Sequence, residues 1–308
     1  MFFRGAKEHY GIDEIIKSLS LMQIYLNGKR TDAADATISA FDLGFTMGVT
    51  VSEKIRTFER KTPLLERHLD RFFGGLQTIG LTLPLERTDL ESQIADLIEI
   101  NGKDLAASDE LAIGVCATPG IASTHGQTNA GPTVFVHTYP LHADKLKESF
   151  EAGIRLTSVT TQEIPAESLP KELKCRSRMH YYLAEQEAKA VDPNSRALLN
   201  NADGFIAEGT TASVVMVKSG QLVAPIQETI LSSVTLGYVI ELAGSLGIPV
   251  ERRNITTQEL ENAPEVLWLT SPSGITPVTH VNKKVIGGGT IGKITERLVS
   301  AWTNSLNR

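Results

Sequence analysis

The sequence predicts a two-domain protein of the α/β (α+β) class on three observations. Strand-like runs recur in both halves of the chain. Amphipathic helical runs stand between them, and a short stretch with a proline and several polar residues, positions 138–145, parts one set from the other. At 308 residues the chain is too long for one small core, so each set can enclose its own.

MQIYLNG, from Met22, reads as a first strand closed by a turn at Asn27-Gly28, which makes residues 1–21 an appended segment. Arg4, Lys7, Glu8, Asp13 and Glu14 interrupt that segment, so it lacks the apolar stretch of a secretory signal. From Val49 to Phe58 β-branched residues roughly alternate. The period then changes: Leu65, His68, Leu69, Phe72, Leu76 and Ile79 recur at helical spacing and predict a helix over 64–80. Another helix follows near 88–101, and ELAIGVCA and PTVFVHTYP read as strands. These elements fill a small α/β domain over 22–137, with 138–145 as interdomain linker and 146–308 as the larger domain. In the larger domain SVVMVKSGQLVAP is a hairpin turned at Lys218-Ser219-Gly220. Residues 229–247 read as a helix with Leu236, Val239, Ile240, Ala243 and Leu246 on one face. Thr256 opens a Thr-x-x-Glu capping box, EVLWLT is a buried strand, and residues 290–305 make a closing helix. The chain has no internal repeat and no low-complexity tract.

A net charge of -6 without a dense basic stripe argues against nucleic acid as a partner, because few phosphates could be neutralised. No segment reaches the roughly 18 apolar residues of a membrane span, so no membrane association is expected. Cys116 and Cys175 lack metal-ligand spacing and read as reduced thiols of a cytoplasmic protein. The histidines form neither His-Glu-x-x-His nor a Cys/His cluster, and no metal site is expected. IGGGTIGK, at 286–293, fits no phosphate-loop pattern and reads as a turn before a helix. No Gly-x-Ser-x-Gly elbow supports a serine hydrolase.

Lysine is left as the candidate nucleophile. In LPKELKCRSRMHYYLAEQEA, residues 169–188, Lys171, Lys174, Arg176 and Arg178 stand just ahead of an apolar, alanine-bearing helix. A lysine that forms a Schiff base needs an electron sink, and pyridoxal phosphate becomes a strong one when a carboxylate keeps its ring nitrogen protonated. DGFIAEGTTASVVMV, read as strand, turn and strand, puts Glu208 at a strand end where little in the packing demands a carboxylate. A phosphate cup is the third requirement. SSVTLGY offers one, with the backbone N–H groups of a helix start and the Thr235 hydroxyl.

FDLGFTMGVTVSEKIRTF, HLDR, KCRSRMHYYLAEQEA with Ala184 ten residues after its lysine, DGFIAEGTTAS, ILSSVTLGYVIELAGSLGIPVERR and TSPSGITPV occur in an order and spacing that resemble the class IV aminotransferases. These are the fold-type IV pyridoxal-phosphate enzymes, among them branched-chain and D-amino-acid aminotransferases and aminodeoxychorismate lyase. The resemblance spans residues 22–305. It implies a fold of a small and a larger α/β domain, with Lys174 as the Schiff-base lysine and Lys171 as a surface charge. It implies that Arg71 binds the cofactor phosphate, that Glu208 pairs with the ring nitrogen and that Leu231 packs on the ring face. Val234, Thr235 and Ser271 would complete the phosphate cup. A homodimer acting on an amino acid and a 2-keto acid is implied as well.

The sequence departs from the family pattern in places. The usual Gly-Ile-Thr-Arg reads Ser233-Val234-Thr235-Leu236, the asparagine after the glutamate motif reads Ser213, and the phosphate threonine reads Ser271. Branched-chain enzymes carry a tyrosine five residues after the lysine, where Met179 stands, and Tyr-x-Arg on a first-domain strand, where LAIGV stands at 111–115. With that carboxylate anchor missing, Arg176 and Arg178 are the candidate substrate-binding cations. The expected activity is transamination through Lys174, with aminodeoxychorismate lyase or a non-catalytic cofactor-binding protein as alternatives.

Overall fold

Two sheets organise the computed structural model, which describes residues 22–121 and 131–306. The appended segment read over 1–21 lies outside the described residues. The first sheet has the order β2-β1-β5-β4-β3, built from β1 (Gln23–Leu26), β2 (Lys29–Asp32), β3 (Val51–Arg56), β4 (Glu110–Thr118) and β5 (Thr133–Leu141). Asn27 and Gly28 take φ of 51° and 78°, the conformation an Asn-Gly hairpin turn needs, and so set the register of β1 on β2. A one-turn helix, α1 (Leu43–Thr46), precedes β3, with the Asp42 carboxylate accepting the Gly44 N–H at 2.7 Å.

One face of this sheet is covered by α2 (Leu65–Thr78) and α3 (Arg87–Gly102). The apolar stripe legible in the sequence delivers Leu69, Phe72 and Leu76 against Val51 and Ile55 of β3 and Ile113 of β4. On the opposite face the register places Lys54 beside Gly114 and Gly114 beside His137. That face looks toward the cavity described below.

Residues 138–145 are regular where a linker was expected. Pairing of β5 with β4 runs to Leu141, and α4 (Ala143–Ala152) begins after His142. Asp109 is the physical reason, because its carboxylate accepts the Ala143 N–H at 3.0 Å and contacts the His142 ring at 2.8 Å, starting the helix at the strand end. The chain leaves the first sheet at Leu141, within this stretch, and enters the second at Ile154.

The second sheet has nine strands: β6 (Ile154–Ser158), β7 (Arg196–Asn200), β8 (Ile206–Gly209), β9 (Ser213–Lys218), β10 (Gln221–Ala224), β11 (Val250–Arg252), β12 (Glu265–Thr270), β13 (Gly274–Val281) and β14 (Lys284–Val285). Its path is β11-β10-β9-β12-β13-β6-β7-β8, with β14 on β13. β8 and β9 follow each other through Thr210-Thr211, bridged from Gly209 to Ala212, yet β12, β13, β6 and β7 lie between them along the path. The sheet must therefore curl on itself, and Glu208 sits where it closes.

The remaining helices are α5 (Met179–Val191), α6 (Val234–Ser245), α7 (Thr257–Glu261) and α8 (Lys293–Leu306). Both faces of β9 are buried: Val214 and Met216 pack with Trp268 and Ile206, Val215 and Val217 with Leu236 and Val239 of α6 and Trp302 of α8. The helix expected over 229–247 starts only at Val234. Ser233 caps it by accepting the Leu236 N–H at 3.1 Å, and Leu231 and Ser232 stay outside because their backbone groups bond to the Glu208 and Arg71 side chains and to the Lys171 carbonyl.

Gly209 ends β8 against Trp268, and a Cβ there would overlap the indole. Gly209→Ala is expected to cost about 1–3 kcal/mol, the range for overpacking a filled core. Denaturant unfolding measures this, and an unchanged midpoint would show that the indole yields freely.

Candidate active site

Lys174 lies between β6 and α5 in a segment stitched to the first sheet. The Ser52 N–H of edge strand β3 donates to the Lys174 carbonyl at 2.8 Å, and Thr50 Oγ1 accepts the Arg176 N–H at 2.6 Å. The Ser177 hydroxyl donates to the Gly48 carbonyl at 2.6 Å. An edge strand has backbone groups to spare, and here they fix the lysine's backbone. Burial first, then the neighbouring Arg71 charge, pull the Lys174 ammonium from its ordinary 10.5 down to about 7. A lysine of that acidity is partly a free amine near neutral pH, and the free amine is the nucleophile.

Arg71 reaches the same cavity from α2. Its Nε and Nη2 donate to the two oxygens of Glu53 at 2.6 and 2.8 Å, and its Nη1 donates to the Ser232 carbonyl at 2.6 Å. Glu53, on β3, is completely buried and also contacts His68 Nδ1 at 2.7 Å. Burial would raise its carboxyl, but Arg71 and His68 outweigh that and hold it far below the usual carboxylate range. The HLDR motif thus presents His68 and Arg71 one turn apart to one carboxylate. Sequence reasoning missed Glu53. Its signal was an acid in VSEKIR with the parity of Val51 and Ile55, the residues that α2 covers.

Opposite Arg71, the first N–H groups of α6, at Val234 and Thr235, carry the partial positive charge of a helix start. The Thr235 and Ser271 hydroxyls are 3.2 Å apart across this point. Glu208 lies at the far side, 5 % exposed, accepting the Tyr181 hydroxyl at 2.5 Å and the Leu231 N–H at 3.3 Å. Burial, then the nearby Glu163 carboxylate, push the Glu208 carboxyl up, and burial, then Glu208, push the Tyr181 phenol up. A buried acid in that condition ionises readily when a cation is placed beside it. Tyr181 was also missed: the family pattern points five residues past the lysine, to Met179, which is exposed at the start of α5.

Every candidate site residue read from the sequence lines one cavity, which Lys171 does not. Lys174, Glu208 and Leu231 line it, as do Arg71, Val234, Thr235 and Ser271, and so do Lys54, Arg176 and Arg178. Lys171 is corrected. It is not a surface charge but donates to the buried Glu163 carboxylate at 2.7 Å and to the Ile164 carbonyl, because a buried carboxylate requires a cation. The donor set suits pyridoxal phosphate: a guanidinium, helix-start amides and hydroxyls for a phosphate, an amine for an aldehyde, and a buried carboxylate for a ring nitrogen.

Fold and site together describe an aminotransferase, and comparison with known proteins agrees. The amino-transferase class IV family model matches residues 50–281, and the chain belongs to that family. A provisionally named branched-chain-amino-acid aminotransferase of Methanocaldococcus jannaschii is 29% identical over 280 residues, covering 90% of this chain and 94% of that one. The D-alanine aminotransferase of Bacillus licheniformis is 25% identical, covering 92% and 97%. Among solved structures, the T.th. branched-chain amino acid aminotransferase with pyridoxamine 5'-phosphate superposes with a TM-score of 0.84 at 25% identity, over 94% of this chain and 96% of that one.

The rate at which Lys174 of the cofactor-free protein couples to a small acylating reagent is expected to rise with pH through about 7 and then level, because only the deprotonated amine reacts. Peptide mapping across a pH series measures it. An inflection near the ordinary lysine value would contradict the account, as would Arg71→Met leaving the inflection in place rather than moving it upward.

Proposed function

We propose that Lys174 is the attachment point and the proton-moving base of a pyridoxal-phosphate-dependent aminotransferase that exchanges the amino group of an amino acid with a 2-keto acid. One observation carries this reading: a lysine held near neutrality and a buried carboxylate share a cavity with a phosphate-sized set of donors.

Arg71, the Val234 and Thr235 amides, and the Thr235 and Ser271 hydroxyls would hold the phosphate. Glu208 would pair with the ring nitrogen, and Leu231, beside it, would flank the ring. When bound, the cofactor supplies an aldehyde that takes up the amino group and a ring that accepts the electron pair left by the departing α-proton. Lys174 Nζ would take that α-proton from the substrate and hold it until it is returned. Over a full turnover one amino acid would become its keto acid and one 2-keto acid its amino acid, so atoms and electrons balance. Arg178, whose charge is felt at both Lys174 and Glu208, would anchor the substrate α-carboxylate close to the reacting carbon. Arg176 stands further out.

We read the two sheets as two domains, 22–137 and 146–308, joined across 138–145. Free thiols at Cys116 and Cys175 suit a reducing compartment, and no described helix is long and apolar enough to cross a membrane, which supports a cytosolic enzyme. A homodimer is supported by exposed Phe41, Phe45 and Met47 near α1 and exposed Met179, Tyr182 and Leu183 on α5. The Ser177–Gly48 bond links the two segments that carry these residues.

Borohydride treatment of the purified holoenzyme is expected to fix the cofactor on Lys174. Glu208→Gln should form the same adduct while turning over about 100-fold more slowly, the size of a lost electrostatic contribution in such sites. An adduct on Lys171, or undiminished turnover, would overturn these assignments. Light scattering should give twice the mass of the 33.4 kDa chain, and a single-chain mass at working concentration would refute the dimer.

A further inference from the structure

We propose that Glu163 is a positioning residue for the ring-nitrogen end of the site. It steadies both carboxylate oxygens of Glu208 through its neighbours, and its own charge favours a proton on the nitrogen that Glu208 is to pair with. The inference rests on the cofactor reading above and concerns a buried acid that the transamination steps do not use.

Glu163 lies in the segment between β6 and α5, 6 % exposed, and its N–H donates to the Asn200 carbonyl at the end of β7 at 2.9 Å. Two arms run from it to Glu208. In the first, Oε1 accepts Lys171 Nζ at 2.7 Å, and the Lys171 carbonyl accepts the Ser232 N–H at 2.9 Å. The preceding N–H, of Leu231, donates to Glu208 Oε2 at 3.3 Å. In the second arm, Oε2 faces His180 Nε2 at 3.5 Å, and the His180 and Tyr181 rings lie with centroids 4.1 Å apart. The Tyr181 hydroxyl donates to Glu208 Oε1 at 2.5 Å. One buried carboxylate therefore stands behind each hydrogen bond that fixes the other. Glu163, Lys171, His180, Tyr181, Glu208 and Leu231 also line one small cavity.

Charge separates this role from packing alone. Burial would raise the Glu163 carboxyl, but His180 and Lys171 outweigh it and hold it below the usual range, so Glu163 is an anion. Burial first, then Glu163, raise the Glu208 carboxyl, while the Tyr181 hydroxyl, Lys171 and the Leu231 N–H lower it. Lys174 and Arg178, from the segment that leads into α5, are the other charges that act with Glu208. A fixed negative charge behind Glu208 makes that carboxylate costly by itself and favours a cation beside it. A protonated ring nitrogen is such a cation, and a neutral one is not. Glu208 alone could keep the shared proton for itself, and the charge of Glu163 adds a reason for the proton to stay on the ring.

The test measures, across pH, the affinity of the cofactor-free protein for pyridoxal 5'-phosphate and for 1-deazapyridoxal 5'-phosphate, in which C–H replaces the ring nitrogen. Lys174 and the phosphate cup act on both compounds, so the ratio of the two affinities isolates the Glu208 end. In wild type the ratio should favour the nitrogen-bearing compound and fall as acid protonates Glu208. Glu163→Gln keeps the shape and removes the charge that raises Glu208, so the fall should move to lower pH by about one unit, with the ratio above it reduced about threefold or more. Tyr181→Phe removes a donor to Glu208 and should move the fall the other way. If Glu163→Gln does not fold, Glu163→Gln combined with Lys171→Met replaces the buried pair by neutral groups and should shift the fall in the same direction as Glu163→Gln, since Glu163 acts on Glu208 more strongly than Lys171 does. A purely structural role would weaken both compounds alike. A fall at the wild-type pH in the Glu163 variants, or an equal loss for both compounds, would overturn the inference and leave the cofactor reading standing. If neither compound binds the wild-type protein, both fall together.

Discussion

The buried carboxylate of Glu53 governs where the cations of the site can be. A charge taken fully out of water is tolerated only with close partners, and α2 supplies two of them from one helical face, Arg71 and His68. Arg71 is gripped at two nitrogens, so its plane is fixed, and the remaining nitrogen is directed to the Ser232 carbonyl. The same ion pair therefore sets the spacing between α2 and the loop that opens α6. Along those two helices Arg67 and Glu241 form another two-pronged pair, at 2.6 and 2.9 Å, but both are well exposed and contribute less.

Burial then works in opposite directions on the two groups proposed to carry the chemistry. It disfavours the charged form of each, lowering the Lys174 ammonium and raising the Glu208 carboxyl. Both are thereby held close to the point of changing charge, the condition a base and a ring partner require. The scaffold is responsible: Lys174 is pinned through its backbone to β3, and Glu208 sits where the second sheet curls closed, under the Tyr181 hydroxyl.

The sequence shows some of this and hides the rest for identifiable reasons. The stripe from Leu65 to Ile79 is a local periodicity, and α2 follows from it. Lys174, Glu208 and the 233–235 turn stand out because their order and spacing match a family pattern, and the fold lines them on one cavity. Glu53 is hidden because an acid in a strand reads as solvent-facing, and only the packing of α2 onto β3 shows otherwise. Glu163 is likewise silent, and with it the burial of Lys171. Proline and polarity mark 138–145 as a linker but hide that it is built from a strand end and a helix start. Pro140 is accommodated in β5 beyond the residues paired to β1, where a missing N–H costs little.

The central claim is that Glu53 holds Arg71 in place to bind an anion. It is tested most directly by the affinity of the cofactor-free protein for pyridoxal 5'-phosphate and for pyridoxal, which lacks the phosphate, in wild type and in Glu53→Gln. The account predicts that the folded variant loses about tenfold or more in affinity for the phosphorylated form and stays within about twofold for pyridoxal, since only the charge-assisted contacts are lost. Equal affinities in variant and wild type for pyridoxal 5'-phosphate, or an equal loss for both compounds, would contradict it.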